Sequence, residues 1–158
     1  MKKIYNPYRE IEGYNCFGCS QTNPIGLKLD FFETDEGVLA KWIPTPDYEG
    51  YHNVLHGGIQ ATILDEVGNW ILPIKIGSAG VTRKMDVHYL ESVYISHGEL
   101  TIKAKLIEMT KNIAHVEVWI EDVDGRVKSK AFVEYFVFPE EIARKKFYFP
   151  GKEKFRKE

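Results

Sequence analysis

Apolar positions along the chain fall into one helical stretch and several stretches of period two. Ile59, Ile63, Val67, Trp70 and Ile71 recur at helical spacing, and Pro73 follows, so the pattern predicts one long helix from Gly57 to about Leu72, stopped by the proline. Upstream, residues 1–26 are rich in Tyr, Asn, Gly and Pro and predict an irregular arm with turns at 16–20 and 23–26. Residues 27–33 and 37–43 predict a hairpin turned by Thr34-Asp35-Glu36-Gly37, with Pro44 ending its second strand. After Gly77–Gly80 the period becomes two, and residues 81–90, 99–108, 114–121 and 126–138 predict four long strands. Asp122-Val123-Asp124-Gly125 is a hairpin turn signal between the last two.

Leu100, Ile102, Ala104 and Leu106 alternate with Thr101, Lys103 and Lys105, the mark of a strand with one wet face. The final strand is apolar on nearly both faces from Ala131 to Phe138, which predicts a central or covered place in the sheet. Residues 139–158 predict a tail that begins with a short helix and ends basic and aromatic. Two strands, one long helix and four strands make an α+β domain over residues 27–138. Its expected plan is one long central helix against a six-stranded antiparallel sheet, because a single helix covers one face of such a sheet.

Composition narrows the function. The chain has 158 residues, 44% of them apolar, which suffices for one domain with a real core. Lys plus Arg is 21 and Asp plus Glu is 23, giving 21 − 23 = −2. So near neutrality, the chain lacks the basic excess of a general nucleic-acid binder. No apolar run approaches the ~20 residues of a membrane span, and the basic start is not followed by an apolar signal core. Cys16 and Cys19 are too few and too close to staple a domain. The expectation is a cytoplasmic protein without nucleic-acid or membrane partners.

The helix carries the candidate chemistry. From Gly57 to Ile74 the charged residues are Asp65 and Glu66, with no Lys or Arg three or four positions away. Around Asp65 the same-face positions hold Ala61, Thr62, Gly68, Asn69 and Leu72, which suits a confined wall where a carboxylate serves as base or acid. Periodicity alone equally allows both acids on a solvated stripe, or one acid in each setting, since adjacent helical residues point ~100° apart. Ahead of the helix stand His56, Gly57 and Gly58. Paired glycines at a helix start are common loop punctuation, but they also let a ligand carbonyl reach backbone N–H groups at the positive helix end, as an oxyanion hole requires. His56 is expected to hold this loop by hydrogen bonding. From Gly57 to Asp65 is eight residues (65 − 57), or ~12 Å of helix. One carbonyl cannot meet both groups of the same chain, so a shared reaction predicts a homo-oligomer, a dimer or a dimer of dimers, with sites between copies.

The run His56-Gly57-Gly58-Ile59-Gln60-Ala61-Thr62-Ile63-Leu64-Asp65-Glu66 resembles the HGG-x6-D helix of hotdog-fold acyl-CoA thioesterases, specifically the PaaI-like (phenylacetyl-CoA thioesterase type) family. Cys16-Phe17-Gly18-Cys19 followed by Asn23-Pro24-Ile25-Gly26-Leu27 resembles the arm of a subgroup with C-x-x-C and N-P-x-G-L, and residues 81–90 resemble the strand after the helix. The likeness runs in order over residues 16–138. It implies the hotdog fold and hydrolysis of an acyl-CoA thioester, with coenzyme A as part of the substrate and no separate cofactor. By position it implies Asp65 as general base or nucleophile, the Gly57 N–H as oxyanion donor, Thr82 as the hydroxyl that positions water, and His56 as the loop histidine. Asn53, Gly58, Glu66, Arg83 and Lys84 are carried as substrate-binding candidates, the last two toward the phosphates of coenzyme A.

Other signals are weaker. Cys16 and Cys19 could be half of a zinc site, but no second C-x-x-C or well-spaced His follows, so structural thiols are the expectation and a two-chain zinc site by symmetry is the alternative. His52 and His56 lack the acid of a metalloprotease helix. His88, His97 and His115 are read as lone strand or turn residues. Phe32, Tyr48, Tyr51 and Trp70 are read as core or as walls of an acyl tunnel. Two rival functions remain on this fold: an acyl-CoA sensor or scaffold that does not hydrolyse, and a hydratase or dehydratase, although the His and Asp motif of the latter is not found.

Overall fold

The computed structural model describes residues 1–156; Lys157 and Glu158, at the end of the basic tail, lie outside the described residues. Its elements are β1 (Lys2–Lys3), β2 (Asp30–Glu33), β3 (Gly37–Trp42), α1 (Gly57–Asn69), β4 (Gly80–Tyr89), β5 (Leu100–Thr110), β6 (Ile113–Glu121), β7 (Val127–Val137) and α2 (Glu140–Phe147). The strands form one antiparallel sheet of order β1-β2-β3-β5-β6-β7-β4, and α1 packs across its inner face. This is the hotdog plan with seven strands rather than the expected six. The extra strand is β1, where Lys2 and Lys3 pair with Glu33 and Phe32. Two exposed lysines carry no hydrophobic period, so this strand has no signature in the sequence.

The core lies where period meets period. Ile63, Leu64 and Val67 of α1 are fully buried against the inward rows Ile102 and Ala104 of β5, Val116 and Val118 of β6, and Ala131, Val133 and Tyr135 of β7. The lysines of β5 face outward: Lys103 and Lys105 pair with Glu121 and Glu117 of β6. As its composition indicated, β7 is internal, between β6 and β4, and Phe138 just beyond it is covered by Phe147 of α2 with ring centroids 4.9 Å apart.

Two boundaries differ from the expectation. Pro73 does not stop the helical path: α1 ends at Asn69, but a π-helical turn follows at Leu72–Ile76, and the chain leaves it through Gly77 at φ 83°. Pro73 sits at the start of that turn, where its missing N–H is tolerated. The first predicted strand begins at Asp30 instead of Leu27. Leu27 and Leu29 are buried, but their N–H groups bond to Phe17 O (2.8 Å) and Gly18 O (2.9 Å) of the arm instead of to the sheet.

β4 is the long edge of the sheet. It pairs with β7 alone, and Val81 and Tyr89 are 42% and 52% exposed. Ten residues of strand with one side of their backbone unpaired are a template for another strand.

Candidate active site

α1 begins with an imidazole cap. His56 Nδ1 accepts from the Gly58 N–H at 2.9 Å, and the His56 carbonyl accepts the Gln60 N–H at 3.0 Å, so the ring satisfies a donor that the first helical turn leaves orphaned. The Gly57 N–H has no acceptor among the described residues. A hollow of about 330 Å³ lined by Gly50, Tyr51, Val54, Leu55, His56 and Gly57 opens beside it. The Tyr89 hydroxyl donates to Gly57 O at 2.7 Å and lays its ring against the glycine. A Cβ on Gly57 would meet that ring at 3.5 Å, an ordinary contact. Neither packing within the chain nor backbone conformation therefore demands a glycine here.

Two turns along, Asp65 is half-buried and gripped from the sheet. The Thr82 hydroxyl donates to Asp65 Oδ1 at 2.8 Å. The Tyr135 hydroxyl lies 2.8 Å from Asp65 O and 3.1 Å from the same Oδ1, a three-centre bond onto the helix. No donor among the described residues reaches Oδ2. Burial, and after it the Asp65 charge, pushes the Tyr135 phenol well above its ordinary range, so it stays protonated and donates. Gly68, one turn beyond Asp65, admits the phenol: a Cβ there would stand 2.5 Å from the Tyr135 hydroxyl. The bulge between Thr82 and Lys84 lets Thr82 face Tyr135 while the strand continues in register with Glu134.

The expected residues thus divide into groups. Asp65 and Thr82 meet, and Tyr135 and Gly68 join them. His56, Gly57 and Gly58 form the helix start. Asn53, at φ 62°, has both ends of its amide on Ser96, donating to Oγ at 2.8 Å and accepting from N–H at 2.9 Å, and so fastens the loop before α1. Arg83 reaches Glu134 at 3.6 Å, and Lys84 pairs in register with it; Glu134 belongs to the outward row of β7, so both cations lie on the face of the sheet opposite Asp65 of their own chain. Glu66 turns to the arm, its Oε1 accepting from Trp70 Nε1 at 3.0 Å and lying 3.6 Å from Cys16 Sγ. Trp70 is core, stacked on Phe31 with centroids 4.3 Å apart, whereas Tyr51 is 87% exposed.

A hotdog sheet with a carboxylate on its central helix, held by hydroxyls from β4 and β7, defines the class. Residues 52–141 match the family model of the Thioesterase superfamily, and the chain belongs to that superfamily. It is 28% identical over 121 residues to a Saccharolobus solfataricus protein provisionally named an esterase, covering 75% of this chain and 85% of that one. Similar folds include a hypothetical thioesterase protein of Streptococcus pneumoniae solved with coenzyme A (TM-score 0.65, 23% identity, 71% of this chain and 90% of that one). They also include a Streptococcus mutans protein bound to acetyl CoA (TM-score 0.66, 20% identity, 83% and 98%). Among the described residues no helix is long and apolar enough to cross a membrane.

Proposed function

We propose that this protein is an acyl-CoA thioesterase of the PaaI-like group, with Asp65 as its reacting carboxylate. The observation that carries this reading is the asymmetric grip on that side chain: two hydroxyls fix Oδ1, while among the described residues none donates to Oδ2. A carboxylate oriented by one oxygen presents the other to water or to a carbonyl carbon. The coenzyme A and acetyl CoA bound by the two streptococcal proteins of like fold support the choice of thioester. The arm motifs Cys16-x-x-Cys19 and Asn23-Pro24-x-Gly26-Leu27 support the subgroup.

The oxyanion donor is the Gly57 N–H, which has no acceptor among the described residues and lies beside a hollow at the positive end of α1. At ~12 Å of helix from Asp65 it serves the site of a second copy. The unpaired β4 edge supplies a surface for that copy, and we take the working unit to be a homodimer joined there. The substrate carbonyl then rests on Gly57 of one copy and faces Asp65 of the other. Asp65 takes a proton from water as it adds to the carbonyl, or itself adds to form an anhydride that water opens. Negative charge grows on the carbonyl oxygen against the Gly57 N–H, and coenzyme A departs as thiolate. Thr82 and Tyr135 are positioning residues, and Asn53 and His56 shape the loop that carries Gly57. The free thiols Cys16 and Cys19 suit a reducing, cytoplasmic setting.

The test is coenzyme A release from short, medium, long and aromatic acyl-CoAs by the wild type and Asp65→Asn, with the mass of the particle in solution measured in parallel. Turnover that falls by about a hundredfold or more in Asp65→Asn, from a dimeric or larger particle, is expected. Acyl-CoA binding without turnover across the panel would make the protein a sensor, and a monomer that turns over substrate would overturn the shared site.

A further inference from the structure

The arm contains a second constellation, remote in function from Asp65 although it touches the next residue of the helix. Cys16-Phe17-Gly18-Cys19 folds as a tight knuckle in which the Cys19 N–H donates to Cys16 Sγ at 3.1 Å and the Ser20 N–H to Cys16 O at 3.1 Å. Leu27 and Leu29 hold the knuckle's outer carbonyls, at 2.8 and 2.9 Å. The loop is seated on Glu66: a Cβ on Gly18 would lie 2.6 Å from the carboxylate carbon, so a side chain there would push the carboxylate aside. Cys16 Sγ, Cys19 Sγ and a Glu66 carboxylate oxygen all fall within 4.8 Å of one another.

From these distances we propose that Cys16, Cys19 and Glu66 bind a thiophilic divalent cation, zinc before others, which clamps the arm to α1. A tetrahedral centre with sulfur at ~2.3 Å and oxygen at ~2.1 Å has a sulfur–oxygen edge of ~3.6 Å. The Cys16 Sγ to Glu66 Oε1 distance is 3.6 Å. The Cys19 N–H donated to Cys16 Sγ favours thiolate at that sulfur, and the Tyr14 hydroxyl, 2.7 Å from Cys19 Sγ, is placed to donate to the second. Among the described residues no Lys, Arg or His forms an ion pair with Glu66, so a cation there meets a carboxylate not already neutralised. A pocket of about 210 Å³ lined by Tyr14, Cys19, Glu66 and Asn69 opens onto the group and gives water the fourth position.

Binding releases the two thiol protons to solvent, so the doubly charged ion faces two thiolates and one carboxylate. The site is structural: Glu66 is spent on the clamp while its neighbour Asp65 keeps the other face. It departs from the expectation of plain structural thiols because the third ligand comes from α1, 50 residues from Cys16, where no Cys and His spacing reveals it. It stands whether or not the protein hydrolyses thioesters.

The test is metal analysis of the full chain purified without chelator, followed by cobalt(II) titration of the chelator-treated wild type, Cys16→Ser and Glu66→Gln. Expected are about one zinc per chain, a thiolate-to-cobalt charge-transfer band with the strong visible bands of tetrahedral cobalt, and protection of both thiols from alkylation by zinc. Cys16→Ser loses about half or more of the charge-transfer intensity, and Glu66→Gln binds about tenfold or more weaker. Wild type that takes up no zinc, shows no tetrahedral cobalt bands and alkylates equally with and without zinc overturns the site, whatever the variants do. Unchanged affinity in Glu66→Gln overturns the three-ligand assignment.

Discussion

Thr82 and Tyr135 stand directly opposite each other on β4 and β7, and both hydroxyls converge on one oxygen of Asp65, at 2.8 and 3.1 Å. A cross-strand pair has thereby become a clamp on a helical carboxylate. The two donors differ in setting: Tyr135 is fully buried, whereas Thr82 is exposed near the start of the edge strand.

That difference separates their effects. Thr82→Val keeps the shape and removes the donor at an exposed site, so stability should move by no more than about 0.5 kcal/mol. Turnover should fall by about tenfold, because Asp65 loses one of two orienting bonds. Thr82→Ser should recover most of the rate. Steady-state kinetics with urea unfolding of the three proteins decides it: equal rates in wild type and valine variant would remove Thr82 from the site.

Gly68 and Tyr135 should be energetically coupled. Gly68→Ala gains up to about 1 kcal/mol of helix propensity, but its methyl would drive into a hydroxyl 2.5 Å away on a rigid, buried ring. The net expectation is destabilisation by about 1–2 kcal/mol with reduced turnover. Tyr135→Phe alone should cost about 1 kcal/mol. In the Tyr135→Phe background the alanine should be much better tolerated, since the atom it strikes is gone. Urea midpoints of the four proteins form the cycle, and strict additivity would contradict the contact.

How much of this was readable beforehand follows from the range of each interaction. The long helix, the four long strands and the alternation of β5 are local periodicities, and they emerge directly from residue order. The convergence of Asp65 with Thr82 entered through resemblance, because no local rule ties residues 17 apart across a turn. Tyr135 carries little signal because it sits in an inward row between Val133 and Val137, where a phenol reads as one more core ring; its sign is a polar tip among Ala131, Val133 and Val137. Position in the chain does not tell which face Arg83 and Lys84 take; the bulge and the pleat turn both to the face opposite Asp65 of their own chain. β1 has no pattern to read, and Glu66 meets the arm only once the fold brings residues 16 and 66 together.

The helix start offers two substitutions with opposite signatures. His56→Ala removes the ring that accepts the Gly58 N–H, and should cost about 1 kcal/mol. Gly57→Ala should leave the fold at least as stable, because its methyl meets the Tyr89 ring at an ordinary 3.5 Å and alanine is the better helix former. Its turnover should nevertheless fall by about tenfold or more, since the methyl stands where a carbonyl must approach the N–H. A stable and fully active Gly57→Ala would remove Gly57 from the proposed oxyanion site.

Acid should loosen the contact between β2 and the tail, and Glu33 sets where. Its carboxylate receives Lys75 at 3.3 Å from the π-helical turn and Arg156 at 3.1 Å from the end of the described chain. Burial pushes the Glu33 carboxyl up, but hydrogen bonds from Lys75 and Arg156 and their charges outweigh it, so it lies below the ordinary range. A carboxylate depressed on folding contributes stability that is present above its unfolded value of about 4.3 and is lost as pH falls through the lower folded value. Glu33→Gln removes that contribution, so the wild type should exceed the variant in urea midpoint near neutral pH and the gap should close below about pH 4. A gap that does not change between about pH 7 and about pH 3 would show that the charge of Glu33 is not what holds the turn and tail to β2.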